Sequence, residues 1–271
     1  MYNYKYRKCI WEVYLKVSKK IISLMIVGVL ILSFGLVGCG KKDAAGAKVL
    51  KVGSEASFAP FEFQEEGTKE YTGFDMDLVR ALGKQMGYDV QIQNIGFDGL
   101  IPALEAGNID VAISAMTITE ERSKKINFSK PYYKSGLTIV VKHDNNTIKN
   151  FADLEGKKIA VQLGTTGAEE AKKIKNAQIR EFNSAPEAFM ELKAGGVDAV
   201  VNDKPVNDYY ITKAGGKDAK EVGTPLTAEE YGIATAKKNT EMTAKLDKAL
   251  EELKSNGEYE KIYVKWFGKK P

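Results

Sequence analysis

The chain has 271 residues, 44% of them hydrophobic, and a formal charge of +4. Residues 1–38 hold six basic residues and one acid, Glu12, so this stretch carries +5 and the remainder −1. A near-neutral body lacks the positive footprint that phosphate backbones require, which excludes nucleic acid as a partner, and the hydrophobic share excludes a disordered chain.

In chain order, residues 21–37 are an uncharged, mostly apolar run behind a lysine-rich stretch, closing on Leu36-Val37-Gly38-Cys39. A basic flank, an apolar stretch and small residues before a cut predict a secretory leader over 1–38. The cysteine directly after Leu-Val-Gly resembles the bacterial lipobox, in which Cys39 is lipidated and becomes the mature N-terminus, anchoring the protein to the outer face of the cell membrane. A single membrane anchor is the competing reading, because the run falls just short of the ~20 residues that span a bilayer. Residues 39–48 then supply the lipidated cysteine and a small, polar tether. The other cysteine, Cys9, lies in the leader, so no disulfide is expected in the body.

From Val49 on, strand-like and helix-like segments alternate, which is the pattern of an α/β protein. Strands are predicted over 49–53, 90–95 and 109–113, with helices over 75–86 and 99–106. Met76, Leu78, Val79, Leu82 and Met86 fall on one face of the first helix. A second series begins after Gly136, with strands over 137–141, 158–162 and 197–201 and helices over 167–175, 186–194 and 206–213. Short strands at 137–141 and 231–235 bracket this series. The reading is therefore two lobes joined by two crossings, residues 49–134 with 232–271 in one and 135–231 in the other. A helix over 241–253 follows, then a last helix capped by Ser255 or Asn256 and ending at Trp266-Phe267.

The body offers little to catalysis. Its one histidine, His143, sits in a polar loop, and Cys39 is its sole cysteine, so no metal or other cofactor is expected. Binding chemistry is better represented. Phe58 and Phe97 follow strands and could wall a cleft, while Phe61 and Phe63 read as core. Arg122 closes Ser114-Ala115-Met116-Thr117-Ile118-Thr119-Glu120-Glu121-Arg122, in which Thr119 is a good N-cap. Arginine grips a carboxylate with two parallel hydrogen bonds; a surface ion pair with Glu121 is the alternative. Gly164-Thr165-Thr166-Gly167 precedes a helix and could present backbone N–H groups to an anion. Asp203, before Lys204-Pro205, is either a helix cap or a partner for a cation. Anion donors, a carboxylate and aromatic walls, all following strands, describe a site for a free amino acid.

These residues also carry a family resemblance. Phe58-Ala59-Pro60-Phe61-Glu62-Phe63, Gly73-Phe74-Asp75-Met76-Asp77-Leu78, the stretch 114–122, Phe128-Ser129-Lys130-Pro131-Tyr132-Tyr133, residues 162–167 and 199–203, and the ending 259–268 resemble the polar amino-acid substrate-binding proteins of bacterial ABC importers. The resemblance implies the two-lobed, type II periplasmic-binding-protein fold, an amino acid as ligand, no enzymatic activity, and permease subunits with their ATPase as partners. By it, Arg122, Thr117 and the N–H groups around Thr165 and Thr166 would hold the α-carboxylate. Asp203 and the backbone of Ser114 would hold the α-ammonium, with Ala115 and Met116 beside them, and Phe58 and Phe97 would enclose the side chain. Glu55, Gln162 and Asn202 stand where relatives often carry aspartate, lysine and histidine. A neutral Gln162 beside an anionic Glu55 favours arginine, lysine or histidine. Glutamine stays open, since its amide can donate to Glu55 and accept from Gln162, as does a prephenate or arogenate dehydratase on the same fold.

Overall fold

A computed structural model of the chain describes residues 48–271, apart from Glu66 and Gly216. The leader, Cys39 and residues 40–47 of the tether lie outside the described residues. The elements run β1 (Lys48–Ser54), β2 (Ser57–Phe58), β3 (Glu62–Gln64), β4 (Tyr71–Thr72), α1 (Phe74–Met86), β5 (Tyr88–Asn94), α2 (Leu100–Ala106), β6 (Val111–Ala112), α3 (Glu120–Lys125), β7 (Ile126–Phe128), β8 (Tyr133–Ser135) and β9 (Leu137–Lys142). They continue with β10 (Lys158–Gln162), α4 (Thr166–Lys172), β11 (Gln178–Phe182), α5 (Ala185–Ala194), β12 (Ala199–Asp203), α6 (Lys204–Tyr210), β13 (Ala219–Val222), β14 (Glu229–Tyr231), β15 (Ala234–Ala236), α7 (Thr240–Ser255) and α8 (Glu258–Phe267).

Two five-stranded sheets form the two lobes. The first has the order β5-β1-β6-β15-β7, with β1 parallel to β5 and β6 and β15 antiparallel to β6 and β7. The second has the order β11-β10-β12-β9-β13, with β10 parallel to β11 and β12 and β9 antiparallel to β12 and β13. Strands covered on both faces are apolar along their length, as the buried Ile139, Val140 and Val141 of β9 illustrate. Helix α1 begins where Gly73 takes φ 128°, with its Cα so close to Phe61 that a β-carbon would stand 2.1 Å from the Phe61 carbonyl oxygen. Only glycine fits there. The face of α1 bearing Met76, Leu78, Val79 and Leu82 is fully buried, and α7 and α8 pack on it from the end of the chain.

The lobes meet through a ribbon of two antiparallel three-residue strands, β8 and β14, which pair Ser135 with Glu229 and Tyr133 with Tyr231. Here the structure departs from the sequence expectation. Residues 231–235 are not one bracketing strand: β14 ends at Tyr231 and β15 begins at Ala234. Between them the Gly232 N–H donates to the Met116 carbonyl at 3.0 Å, and Gly232 packs so tightly that a β-carbon would stand 2.9 Å from Ile118 and Phe128. The strand expected over 137–141 is present as β9, inside the second sheet between β12 and β13. The strand expected at 197–201 lies at 199–203, because Asp198 exchanges backbone and side-chain hydrogen bonds with Lys158 just before pairing starts. Ser255 and Asn256 were the expected caps of α8; Gly257 holds the cap position, and Asn256 Oδ1 accepts from the Glu258 N–H at 2.9 Å.

Candidate functional site

A small cavity lies where the carboxyl ends of β1, β6, β10 and β12 face one another across the lobes. From the first lobe it is bordered by Glu55, Phe58, Phe97, Ser114, Ala115, Thr117 and Arg122, and from the second by Gln162, Thr165, Thr166 and Asp203. Eleven of the thirteen residues singled out in the sequence as ligand contacts thus surround one space. Met116 and Asn202 do not border it. Met116 turns into the first lobe's core with Leu100, Leu104 and Ile126. Asn202 alternates with Asp203 along β12, and its carbonyl accepts from the Asn207 amide behind the strand.

Arg122 stands in the first turn of α3, where Thr119 Oγ1 accepts from its N–H at 3.2 Å. Arg122 is 7% exposed, and its guanidinium does not pair with Glu121, which binds Lys124 on the surface. Instead Nη1 donates to the Thr117 carbonyl at 2.7 Å and Nη2 to the Gly164 carbonyl of the other lobe at 3.0 Å. The Phe97 ring lies 5.3 Å from its Cζ, a cation–π contact. Burial lowers its pKa, and the charges of Glu169, Asp203 and Glu229 oppose that shift. Gly164 takes φ 77° and lies so near the first lobe that a β-carbon would be 3.2 Å from Asp98 Cβ, so this cross-lobe approach depends on glycine.

Asp203 occupies the N-cap position of α6, yet its side chain makes no cap hydrogen bond. It accepts instead from the Tyr231 hydroxyl of the ribbon. Burial and the charge of Glu229 raise its pKa to about 8, against the lowering effects of Tyr231 and Arg122. A buried carboxylate so placed gains from a cation brought into the cavity. At another wall Gln162 Nε2 donates to Glu55 Oε2 across the lobes at 3.3 Å, and Ser57 donates to the other Glu55 oxygen. Burial raises the Glu55 pKa, with Ser57 and Gln162 opposing. Gln162 Oε1 is buried without a partner, so this end has an acceptor to spare. Thr165 caps α4 by accepting from the Ala168 N–H at 3.2 Å, leaving N–H groups of the first turn without intrahelical partners. Thr117 Oγ1, expected to face a carboxylate, donates to Glu229 at 3.0 Å.

Glu229 and Tyr231 were missed in the sequence. Both are buried at the crossing, on a strand too short for alternation to mark, and their one signal was an acid and a phenol beside a predicted hinge. Phe61 is core as expected, whereas Phe63 is half-buried against Trp266. His143 is exposed in its loop.

Two sheet-rich lobes, a two-strand ribbon and a charged cleft between them define a binding protein of the type II periplasmic fold. Residues 50–269 match the bacterial extracellular solute-binding proteins, family 3, and the chain belongs to that family. It is 35% identical over 244 residues to the arginine-binding extracellular protein ArtP of Bacillus subtilis, covering 87% of this chain and 94% of that one. Among solved structures, an ancestral arginine-binding protein bound to arginine superposes with a TM-score of 0.78 at 47% identity, over 81% of this chain and 98% of that one. The ancestral amino acid-binding protein AncCDT-1, a precursor of cyclohexadienyl dehydratase, gives 0.75 at 43% identity, over 81% and 95%.

Proposed function

We propose that the protein is the extracytoplasmic substrate-binding component of an ABC importer for a polar L-amino acid with a basic side chain, arginine foremost. The observation that carries this reading is the opposition of Arg122 and Asp203 across one cavity, each almost fully buried and each on a different lobe. A zwitterion satisfies both: carboxylate to the Arg122 guanidinium and the first turn of α4, ammonium to Asp203. The side chain then runs between Phe58 and Phe97 toward Glu55 and Gln162. A buried carboxylate whose neighbour is neutral, with a spare acceptor on that neighbour, favours a donor-rich, cationic end. The arginine-binding relatives support the same choice.

In this reading the segments 49–134 with 232–271 and 135–231 rock about the β8–β14 ribbon. A ligand contacting both favours closure by its differential affinity for the closed state. The closed form is what permease subunits, driven by a separate ATPase, would accept. Lipidation at Cys39 would hold it at the membrane surface; fatty-acid labelling of the full chain that disappears in Cys39→Ala checks this. Among the described residues no helix is long and apolar enough to cross a membrane.

The test is the melting temperature of ligand-stripped protein against the twenty amino acids, ornithine and prephenate. A micromolar ligand at 1 mM stabilises by ~4 kcal/mol, and the largest shift is expected with arginine. A shift confined to glutamine would keep the mechanism and overturn the charge argument at Glu55. Turnover of prephenate with no amino-acid shift would replace transport by a dehydratase.

A further inference from the structure

The turn 114–117 delivers Ser114, Ala115 and Thr117 to the cavity. It does so under strain, because Ala115 sits at φ 45°, in the left-handed region that a residue with a β-carbon avoids. Two acids hold it from behind. Asp75 Oδ2 accepts from the Ala115 N–H and from the Tyr132 hydroxyl, each at 2.8 Å. Glu62 Oε1 accepts from Ser114 Oγ at 2.8 Å, and that hydroxyl in turn accepts from the Glu55 N–H at 3.0 Å.

Both acids are fully buried, and no cation is among the groups acting on either. Their second oxygens, Glu62 Oε2 and Asp75 Oδ1, are buried without a hydrogen-bond partner, and each acid is among the groups acting on the other. Ionised carboxylates only accept, so two of them buried behind successive residues with no cation repel each other, and a proton on one both relieves that charge and supplies a donor. We infer that Glu62 and Asp75 share a single proton, carried by Glu62, and that this acid–carboxylate pair positions the turn 114–117 for ligand.

The surroundings keep that proton in place. The titratable groups facing the pair are Glu55 from the loop after β1, Tyr132 before β8 and Tyr259 of α8, with Tyr231 of β14 against Tyr132. All are acids or phenols, so none stabilises a second negative charge. Burial pushes both acids above the usual carboxylate range, and Asp75 accepts from two donors, the Ala115 N–H and the Tyr132 hydroxyl, where Glu62 accepts from one, so the proton stays on Glu62. Raising the pH far enough removes the shared proton, sets two buried carboxylates against each other and releases the turn, so affinity falls on the alkaline side.

The affinity part of this inference rests on the amino-acid reading above; the protonation part does not, and two measurements keep them apart. In infrared spectra, the difference between the parent and Glu62→Gln, recorded with and without saturating L-arginine, should show a protonated-carboxyl C=O band in the parent. The arginine arm separates this band from any proton on Asp203. In a titration of L-arginine affinity against pH, Glu62→Gln should match the parent within about twofold at neutral pH, because its amide donates to Asp75 and its oxygen accepts from Ser114. It should also show a smaller alkaline decline than the parent, because only the decline caused by the ligand's own α-ammonium losing its proton remains. Glu62→Leu, which can make neither bond, should bind at least about tenfold more weakly. A missing band, or an alkaline decline equal in parent and Glu62→Gln, overturns the shared proton. If no amino acid binds the parent, the amino-acid reading fails and the infrared band alone decides.

Discussion

The two walls of the cleft are built differently. On the first lobe Ser114 and Ala115 are fastened to Glu62 and Asp75 of the same lobe, and Arg122 to the Thr117 carbonyl, while Arg122 Nη2 also donates to the Gly164 carbonyl across the cleft. On the second, the polar ends are shared. Gln162 Nε2 lies 3.3 Å from both Glu55 Oε2 across the cleft and the Asn183 carbonyl of its own lobe, and Asp203 takes its hydrogen bond from Tyr231 of the ribbon. A wall fixed from within stays in place when the lobes part, whereas a wall fixed from outside loses partners. The Ser114–Ala115 corner of the first lobe is thus preformed, whereas Arg122 and Gln162 each lose one partner when the lobes part.

The largest test of that contrast is Arg122→Ala. Truncating one member of a buried charge pair costs ~2–5 kcal/mol, so arginine affinity measured calorimetrically should fall at least about thirtyfold. A loss within threefold would remove Arg122 as the carboxylate anchor. Asp203→Asn should weaken binding by about ten- to a hundredfold, yet leave the empty protein no less stable, because it removes a carboxylate that burial penalises.

The same carboxylate sets a pH dependence. The Asp203 pKa is raised from 3.8 to about 8 in the empty fold, so the folded state binds an extra proton between these values. The stability this contributes is full below the lower value and lost as pH rises through the higher one. An ammonium beside Asp203 restores the charge partner. The gain in melting temperature from L-arginine should therefore widen between pH 6 and 8.5, and a gap that narrows over that range would place the ammonium elsewhere.

Glu55→Gln probes the far end of the cavity. It should lower the preference for arginine over glutamine by about tenfold, read as the ratio of dissociation constants. Equal losses for both ligands would mean that Glu55 is structural. The smallest effect is expected for Tyr231→Phe. Losing the hydroxyl that stands in for the ammonium in the empty cleft should cost ~1 kcal/mol of stability without ligand and change affinity by less than about fivefold. A drop as large as that of Asp203→Asn would make Tyr231 part of the ligand shell.

Much of this was legible in the chain. Periodicity marked α1 and α7, because one face of each is buried against a continuous core. Phe58, Phe97, Arg122 and Asp203 could be singled out because each follows a strand, and the carboxyl ends of strands from both sheets converge on the cleft; Gln162 came from the family resemblance. The two- and three-residue strands β2, β3, β4, β7, β8 and β14 were not legible, nor were the edge strands β11 and β13. The former are too short for an alternating pattern, and the half-exposed edges carry Arg180, Glu181, Lys220 and Glu221 where a core strand would be apolar.

The sequence by itself determined the α/β class, the alternation of two series and the residue types of an amino-acid site, since these follow from local pattern and side-chain chemistry. Tertiary structure alone decided that Asp203 faces Tyr231 and not the first turn of α6, that Met116 and Asn202 turn away from the cavity, and that Glu62 meets Asp75. Each depends on a partner far along the chain, and burial of polar groups, which makes those pairings obligatory, is a property of the folded whole.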